Sequence, residues 1–403
     1  MYKRIIFFIK IFIHSRIKFK NPPSKKLMIF DNSDIFSLKE SLLKDYEYFV
    51  FEDRGHLITK IYLSLDILKN IYINKKYGIK LAYKIAIIKL VNPRLILTFI
   101  HNSENFSNLS KILLKKYNFL AIQNSSFYYR IREAKYLKKK ENIKIKNFLI
   151  PHLLSFSKFD NENYFSLRQI KVNKYDIVGS LRLENFKNRL KKNIFIPKIN
   201  KYDICLLSEV GAWELKDKSL DLKFAKLFKY IIRYSKEKKI RLVIALKRQK
   251  IIANQAKLAK KVIRGYWIEQ DWFKKFFNKE EYNFLKKRFK FNYPYSSYEA
   301  SAESKVTIAV MSTMLRENFS QKKKILACNF TSNKVYDFPI KGICSINHDC
   351  NYDYFKKRLD KILKISKKNY FKEADFKKDH DLICNKKNET IEKISKIMKI
   401  YLK

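Results

Sequence analysis

Short apolar, β-rich runs recur along this chain, and each is followed by a segment with helical spacing. That rhythm constrains the fold more than any other feature. KKLMIFD (25–31) reads as a strand ending in Asp31, with a helix from Ser37. YEYFVFED (46–53) is a second strand. From Ile58 to Ile88 apolar residues lie three and four apart, which predicts helix. PRLILTFIHNS (93–103) predicts a strand ending in His101-Asn102, and NLSKILLKKY (108–117) a helix. NFLAIQNSS (118–126) predicts a strand ending in Gln123-Asn124. Lys174–Lys201 breaks the rhythm with a basic run and Pro197. Alternation restarts at KYDICLLSEVG (201–211), with a helix over 219–238 and a strand at IRLVIALKRQ (240–249). The stretch 251–290 reads as helical or irregular. SSYEASAES (296–304) predicts a short helix, VTIAVM (306–311), KKILACNF (323–330) and GICSI (342–346) strands, and 352–403 mainly helix. Strand–helix alternation implies parallel sheets with helices on both faces.

A chain of 403 residues exceeds one ordinary core, so two domains are expected, 1–195 and 196–403. The fold class is α/β: two Rossmann-like domains facing a central cleft, with ligands at the carboxyl ends of the strands.

The formal charge of +50 points first to nucleic acid or an anionic membrane. However, Lys, Asn, Ile, Phe and Tyr all have codons rich in A and T, and the chain is crowded with them. A biased genome would raise lysine everywhere without selection for a partner. The lysines are spread along the chain, with no zinc-finger spacing or RNA-binding aromatic signature. Nucleic acid is therefore not the expected partner. Five cysteines, none in a CxxC pair, argue against a disulfide framework or zinc site and fit a reducing cytoplasm. The N-terminus, MYKRIIFFIKIFIHSRIKFK, imitates a signal peptide, but Lys10 interrupts the apolar run and no small-residue cleavage site follows. It is too short to span a bilayer. It is either a first element of the domain or an interfacial basic-aromatic anchor on anionic lipid.

The candidate site residues lie at predicted strand ends. In VTIAVMSTMLRENF, Ser312-Thr313 follows a strand and caps the next helix. Free N–H groups and two hydroxyls there suit a phosphate. Glu317 lies one turn further on and can accept hydrogen bonds from ribose hydroxyls. Ser296 to Glu299 fits a capping box, with Ser297 inside it. Lys247-Arg248 ends the VIAL strand, where cations can hold a diphosphate. Glu209 and Glu214 end another strand. Each feature also has a plain structural reading as a cap or a solvated charge; their shared position makes them candidates.

SSYEASAESKVTIAVMSTMLRENFSQKKKILACNF is similar to the donor-site segment of surface carbohydrate biosynthesis transferases of the leptospiral type. These belong broadly with GT-B-fold transferases, including CDP-glycerol glycerophosphotransferases. Ser297, Tyr298, Glu299, Ser312, Thr313, Glu317 and Lys323-Lys324 match that pattern, and Gln123-Asn124 matches the IQN of the N-terminal half. Ser125 and Ser320 stand near places that usually hold Gly, and His101 replaces an Asp before Asn102. The resemblance implies a nucleotide-activated donor in 196–403, bound by Ser312, Thr313, Glu317, Lys247, Arg248, Ser297 and Glu299. It implies a glycan or lipid-linked acceptor in 1–195, near Asn102, Gln123 and Asn124. His101, then Asp31, are the expected catalytic bases. Neither cofactor nor metal is expected. The leading expectation is a cytoplasmic transferase, peripheral on the inner face of the membrane, building a surface polysaccharide or lipopolysaccharide. The alternatives are a sugar-nucleotide epimerase of the same fold and a non-catalytic basic scaffold or nucleic-acid-binding protein.

Overall fold

The computed structural model describes residues 15–53, 58–125, 148–165, 170–209, 218–249, 269–292, 294–331, 334–374, 382–383 and 389–403. The strands among them, in chain order, are β1 (Arg16–Lys18), β2 (Leu27–Phe30), β3 (Tyr48–Phe51), β4 (Lys60–Tyr62), β5 (Leu95–Thr98), β6 (Asn118–Ile122) and β7 (Phe148–Ser155). After these come β8 (Ile170–Ile177), β9 (Tyr202–Leu207), β10 (Leu242–Gln249), β11 (Phe289–Asn292), β12 (Ser304–Ala309), β13 (Ile325–Cys328) and β14 (Ser345–Ile346).

They form two six-stranded parallel sheets and a small β1–β4 pair. The first large sheet runs β3-β2-β5-β6-β7-β8, with Leu27 opposite Leu95 and Ile29 opposite Leu97. Its central strands β2, β5 and β6 are largely apolar on both faces because both faces are covered. Met28, Phe30, Ile96 and Phe119 pack on one side with Ile85, Ile88 and Phe106. Leu27, Ile29, Leu95 and Leu97 pack on the other with Leu38, Ile394 and Met398. The second large sheet runs β11-β10-β9-β12-β13-β14. Counted from its own first strand, that is the order 3-2-1-4-5-6 of a doubly wound dinucleotide fold.

The molecule divides into two compact units, the first running to Asn185 and taking back the closing segment, the second covering Phe186 to Ile383. The expected division put 196–403 wholly in the second unit. The closing helix, Thr390–Leu402, instead buries Ile394 and Met398 on the first sheet. Glu184 accepts its leading N–H groups, from Thr390 at 2.6 Å and Ile391 at 3.1 Å. His152 of β7 meets the Tyr401 hydroxyl at 2.8 Å. Other elements depart from expectation. β7 and β8 lie where no strand was expected, and β11 lies in the stretch read as helical or irregular. The helix after β5 spans Glu104–Leu113, four residues earlier than expected. No helix among the described residues is long and apolar enough to cross a membrane.

Candidate functional site

In the second sheet the chain winds outward from β9 in one direction through β10 and β11, and from β12 in the other. The switch point is therefore the gap between β9 and β12, the place where such sheets open a crevice for ligand. Thr307 of β12 sits opposite Cys205 of β9, and Ile308 opposite Leu206, so both strands deliver their ends to that gap. β9 continues through Ser208 to Glu209. β12 continues through Val310 and Met311 to Ser312.

Glu209 bridges the gap. One carboxylate oxygen accepts hydrogen bonds from Val310 N–H at 2.7 Å and Met311 N–H at 2.9 Å. Removal from water pushes this carboxyl up to about 7, against the pull of those N–H groups and of nearby Lys247. Two adjacent backbone donors aimed at one oxygen are an anion seat, here holding a carboxyl of the chain itself.

The following helix runs Thr313–Ser320. Ser312 is its N-cap, with its hydroxyl accepting from Met314 N–H at 3.3 Å, as the sequence implies. Thr313 is the first helical residue. Glu317 is buried on the second turn, and Tyr298 donates its hydroxyl to it at 2.7 Å. Tyr298 is in turn packed against Phe186 and Tyr295.

The helix Ser296–Ala302 does not carry the expected capping box. Its N-cap is Tyr295 in the left-handed region, at φ 69°, which displaces Ser296 into the first turn. Glu299 pairs with Lys290 of β11 at 3.1 Å. Ser297 is the second helical residue. Lys247 and Arg248 lie near the carboxyl end of β10, and the Lys247 N–H donates to Glu269 at 3.2 Å. The Arg248 side chain and Glu214 lie outside what is described. Lys324, of the matched lysine pair, donates to the Ile362 carbonyl at 2.9 Å, near the end of the helix Tyr352–Lys364.

The first sheet has its own switch point, between β2 and β5. Asp31 follows β2 and is buried, with φ 76°, a conformation an L-residue holds only under constraint. Its carboxylate accepts from Ser33 N–H at 2.8 Å. His101 and Asn102 follow β5, and the buried His101 ring accepts the Asn124 N–H through Nδ1 at 3.5 Å. Gln123 is fully buried; it accepts from Phe156 N–H at 2.8 Å and donates to the Ser125 carbonyl at 3.1 Å. Arg182 donates to the Asn124 carbonyl at 3.3 Å and pairs with Asp34. Asp53, after β3, holds Lys84 in an ion pair and accepts from Asn105 at 2.7 Å. Burial lowers the Lys84 ammonium despite the Asp53 charge. The sequence reading did not single out Asp53, Lys84 or Arg182. Asp53 ends a recognised strand and was legible on that ground; the two cations were lost among 88.

No family model matches the chain, and no curated protein matches its sequence. Solved structures do match. The UDP-GlcNAc 2-epimerase of Methanocaldococcus jannaschii shares 12% identity, covering 93% of this chain and 99% of that one, with a TM-score of 0.50. A UDP-N-acetylglucosamine 2-epimerase assignment from Listeria monocytogenes shares 10% identity over 95% and 97%, again at 0.50. The wall teichoic acid polymerase TagF matches at 12% identity over 99% and 93%, with a TM-score of 0.47. The chain thus has a GT-B-like α/β fold of two Rossmann-like units.

Proposed function

We propose that the chain is a transferase moving a sugar or related group from a nucleotide-activated donor to a surface polysaccharide or lipopolysaccharide precursor. One observation carries this reading. At the switch point of the second unit, the donors of Val310 and Met311 and the capped start of the helix Thr313–Ser320 lie within a few residues of a buried, oriented carboxylate, Glu317. Backbone donors and a helix start suit the diphosphate of a leaving nucleotide. A carboxylate one turn on suits ribose hydroxyls. Glu209 supports the assignment, because the seat already holds an oxygen of the kind a diphosphate offers. Lys247 adds a cation at the neighbouring strand end.

The first unit then supplies the acceptor side. Asn102, Gln123 and Asn124 lie together at the ends of β5 and β6. His101 is the first candidate for the base and Asp31 the second. The Asn124 N–H contact to the His101 Nδ1 is weak at 3.5 Å, so an acceptor hydroxyl can displace it. The enzyme works in the cytoplasm at the inner face of the membrane, where its acceptor is lipid-linked.

The test is product analysis with UDP-, GDP-, CMP- and CDP-linked donors, with and without a lipid-linked glycan acceptor. The reading expects acceptor-dependent release of nucleotide and a labelled glycan. His101→Ala should lower kcat about 10²- to 10⁴-fold with little change in donor KM. Acceptor-independent isomerisation of the donor sugar would give the chain to the epimerases instead. Turnover of no donor, with salt-sensitive RNA binding, would make it a basic scaffold.

A further inference from the structure

The helix Leu65–Ile73 is apolar on both faces: Ile67 and Ile71 pack inward on the first core, yet its outward face is apolar as well. A surface helix turns its apolar stripe to the core and its polar face to water. Here Ile67 is the one fully buried residue, while Leu65, Leu68 and Tyr72, spaced to share one stripe, all face outward. Leu65 is 85% exposed and Tyr72 69%. Ile73 ends the helix exposed, and beyond it Tyr77 and Ile79 are exposed too, Ile79 at 76%. The apolar surface also extends to Phe19, 78% exposed, because Asn21 bonds both Ser64 and Asp66 and so places the end of β1 beside the start of this helix.

Lysines ring this surface. The stretch 65–80 holds Lys69, Lys75, Lys76 and Lys80 against the single acid Asp66, a net +3 from four minus one. The Asp66 carboxylate is turned to the Asn21 amide at 2.6 Å. The Lys75 ammonium lies 4.3 Å from the Tyr72 ring centre and Lys76 lies 5.2 Å from that of Tyr77, so cation and ring form joint amphipathic tips.

We infer that this face docks the first unit onto an anionic lipid surface, with Leu65, Leu68 and Tyr72 entering the headgroup region and the lysines meeting lipid phosphates. Interfacial helices carry this combination of apolar stripe, aromatic ring and flanking lysine. β1 also follows directly on the basic-aromatic stretch 1–14, whose sequence suits the same surface. The inference deepens the transferase reading and rests on it for its purpose, presenting the enzyme to a lipid-linked acceptor.

The experiment is co-sedimentation of the full chain with vesicles of phosphatidylcholine alone and with phosphatidylglycerol added. Two variants are compared, Leu68→Asp/Tyr72→Ser and Lys75→Glu/Lys76→Glu. All four positions are exposed, so both variants should fold, and unchanged melting temperatures would show it. The expected result is binding that requires the anionic lipid and falls at least about tenfold in each variant. Stabilisation by nucleotide should be the same in all three proteins. Equal binding to neutral vesicles, or binding retained by both variants, would overturn the inference. So would a dimer dispersed by Leu68→Asp/Tyr72→Ser, which would give this face to a second copy. Loss of nucleotide binding is read separately and bears on the transferase reading alone.

Discussion

Glu209 holds two backbone N–H groups while losing much of its hydration, and these influences oppose one another. Its folded value of about 7 lies above the ordinary 4.5, so between those two pH values the folded protein keeps a proton that the unfolded chain has released. Its contribution to stability is therefore most favourable at low pH and is lost as pH rises through that window. Glu209→Gln keeps an acceptor for Val310 and Met311 but removes the titration. Urea melts should show the variant gaining on wild type between pH 5 and pH 8, by roughly 1–3 kcal/mol. An unchanged difference would mean that Glu209 does not titrate in this range. Ser312 as N-cap was legible because a cap is a local device of one hydroxyl and the next turn. The capping box at Ser296–Glu299 was misread for the opposite reason. Lys290, on a strand closed by long-range pairing, takes Glu299, and Tyr295 starts the helix from a conformation that no residue type announces.

At the scale of elements, the strands buried on both faces were readable, since β2, β5 and β6 are largely apolar runs and β9 and β12 end on buried, mainly apolar stretches. β7 was not, because FLIPHLLS carries Pro151 and His152 mid-strand, and proline argues against a central strand. β8 closes its sheet as an edge and alternates polar residues accordingly. β11 is likewise an edge, only four residues long and in a lysine-rich stretch. The closing helix Thr390–Leu402 reads correctly as amphipathic, but chain order assigns it to the wrong unit; only packing reveals its place. Met398→Ala should therefore destabilise the first unit by about 2–5 kcal/mol, a cavity cost at a fully buried site. Hydrogen exchange would check this, with protection lost at β2 and β5 and kept at β9 and β12. Equal loss in both sheets would contradict the helix's assignment to the first unit.

For the whole molecule, the charge of +50 is the dominant fact. Many ion pairs are exposed, such as Lys396 with Glu392 and Lys158 with Glu162, and exposed pairs contribute little. Self-repulsion should outweigh them. The melting temperature should rise by several degrees as salt is raised from low ionic strength to about 0.3 M, where screening reaches only a few ångströms. A fall would mean that the pairs outweigh the repulsion. Charge alone, however, did not name the fold; the βα rhythm did.

The central claim is that the β9–β12 switch point seats a nucleoside diphosphate. The direct measurement is isothermal titration of UDP, GDP and CDP into wild type, Ser312→Ala/Thr313→Ala and Glu317→Gln. The account predicts saturable binding of at least one nucleotide, weakened about tenfold or more in both variants while their melting temperatures hold. Binding of equal strength in all three proteins would place the nucleotide elsewhere, and its absence from folded wild type would leave Ser312 an ordinary helix cap.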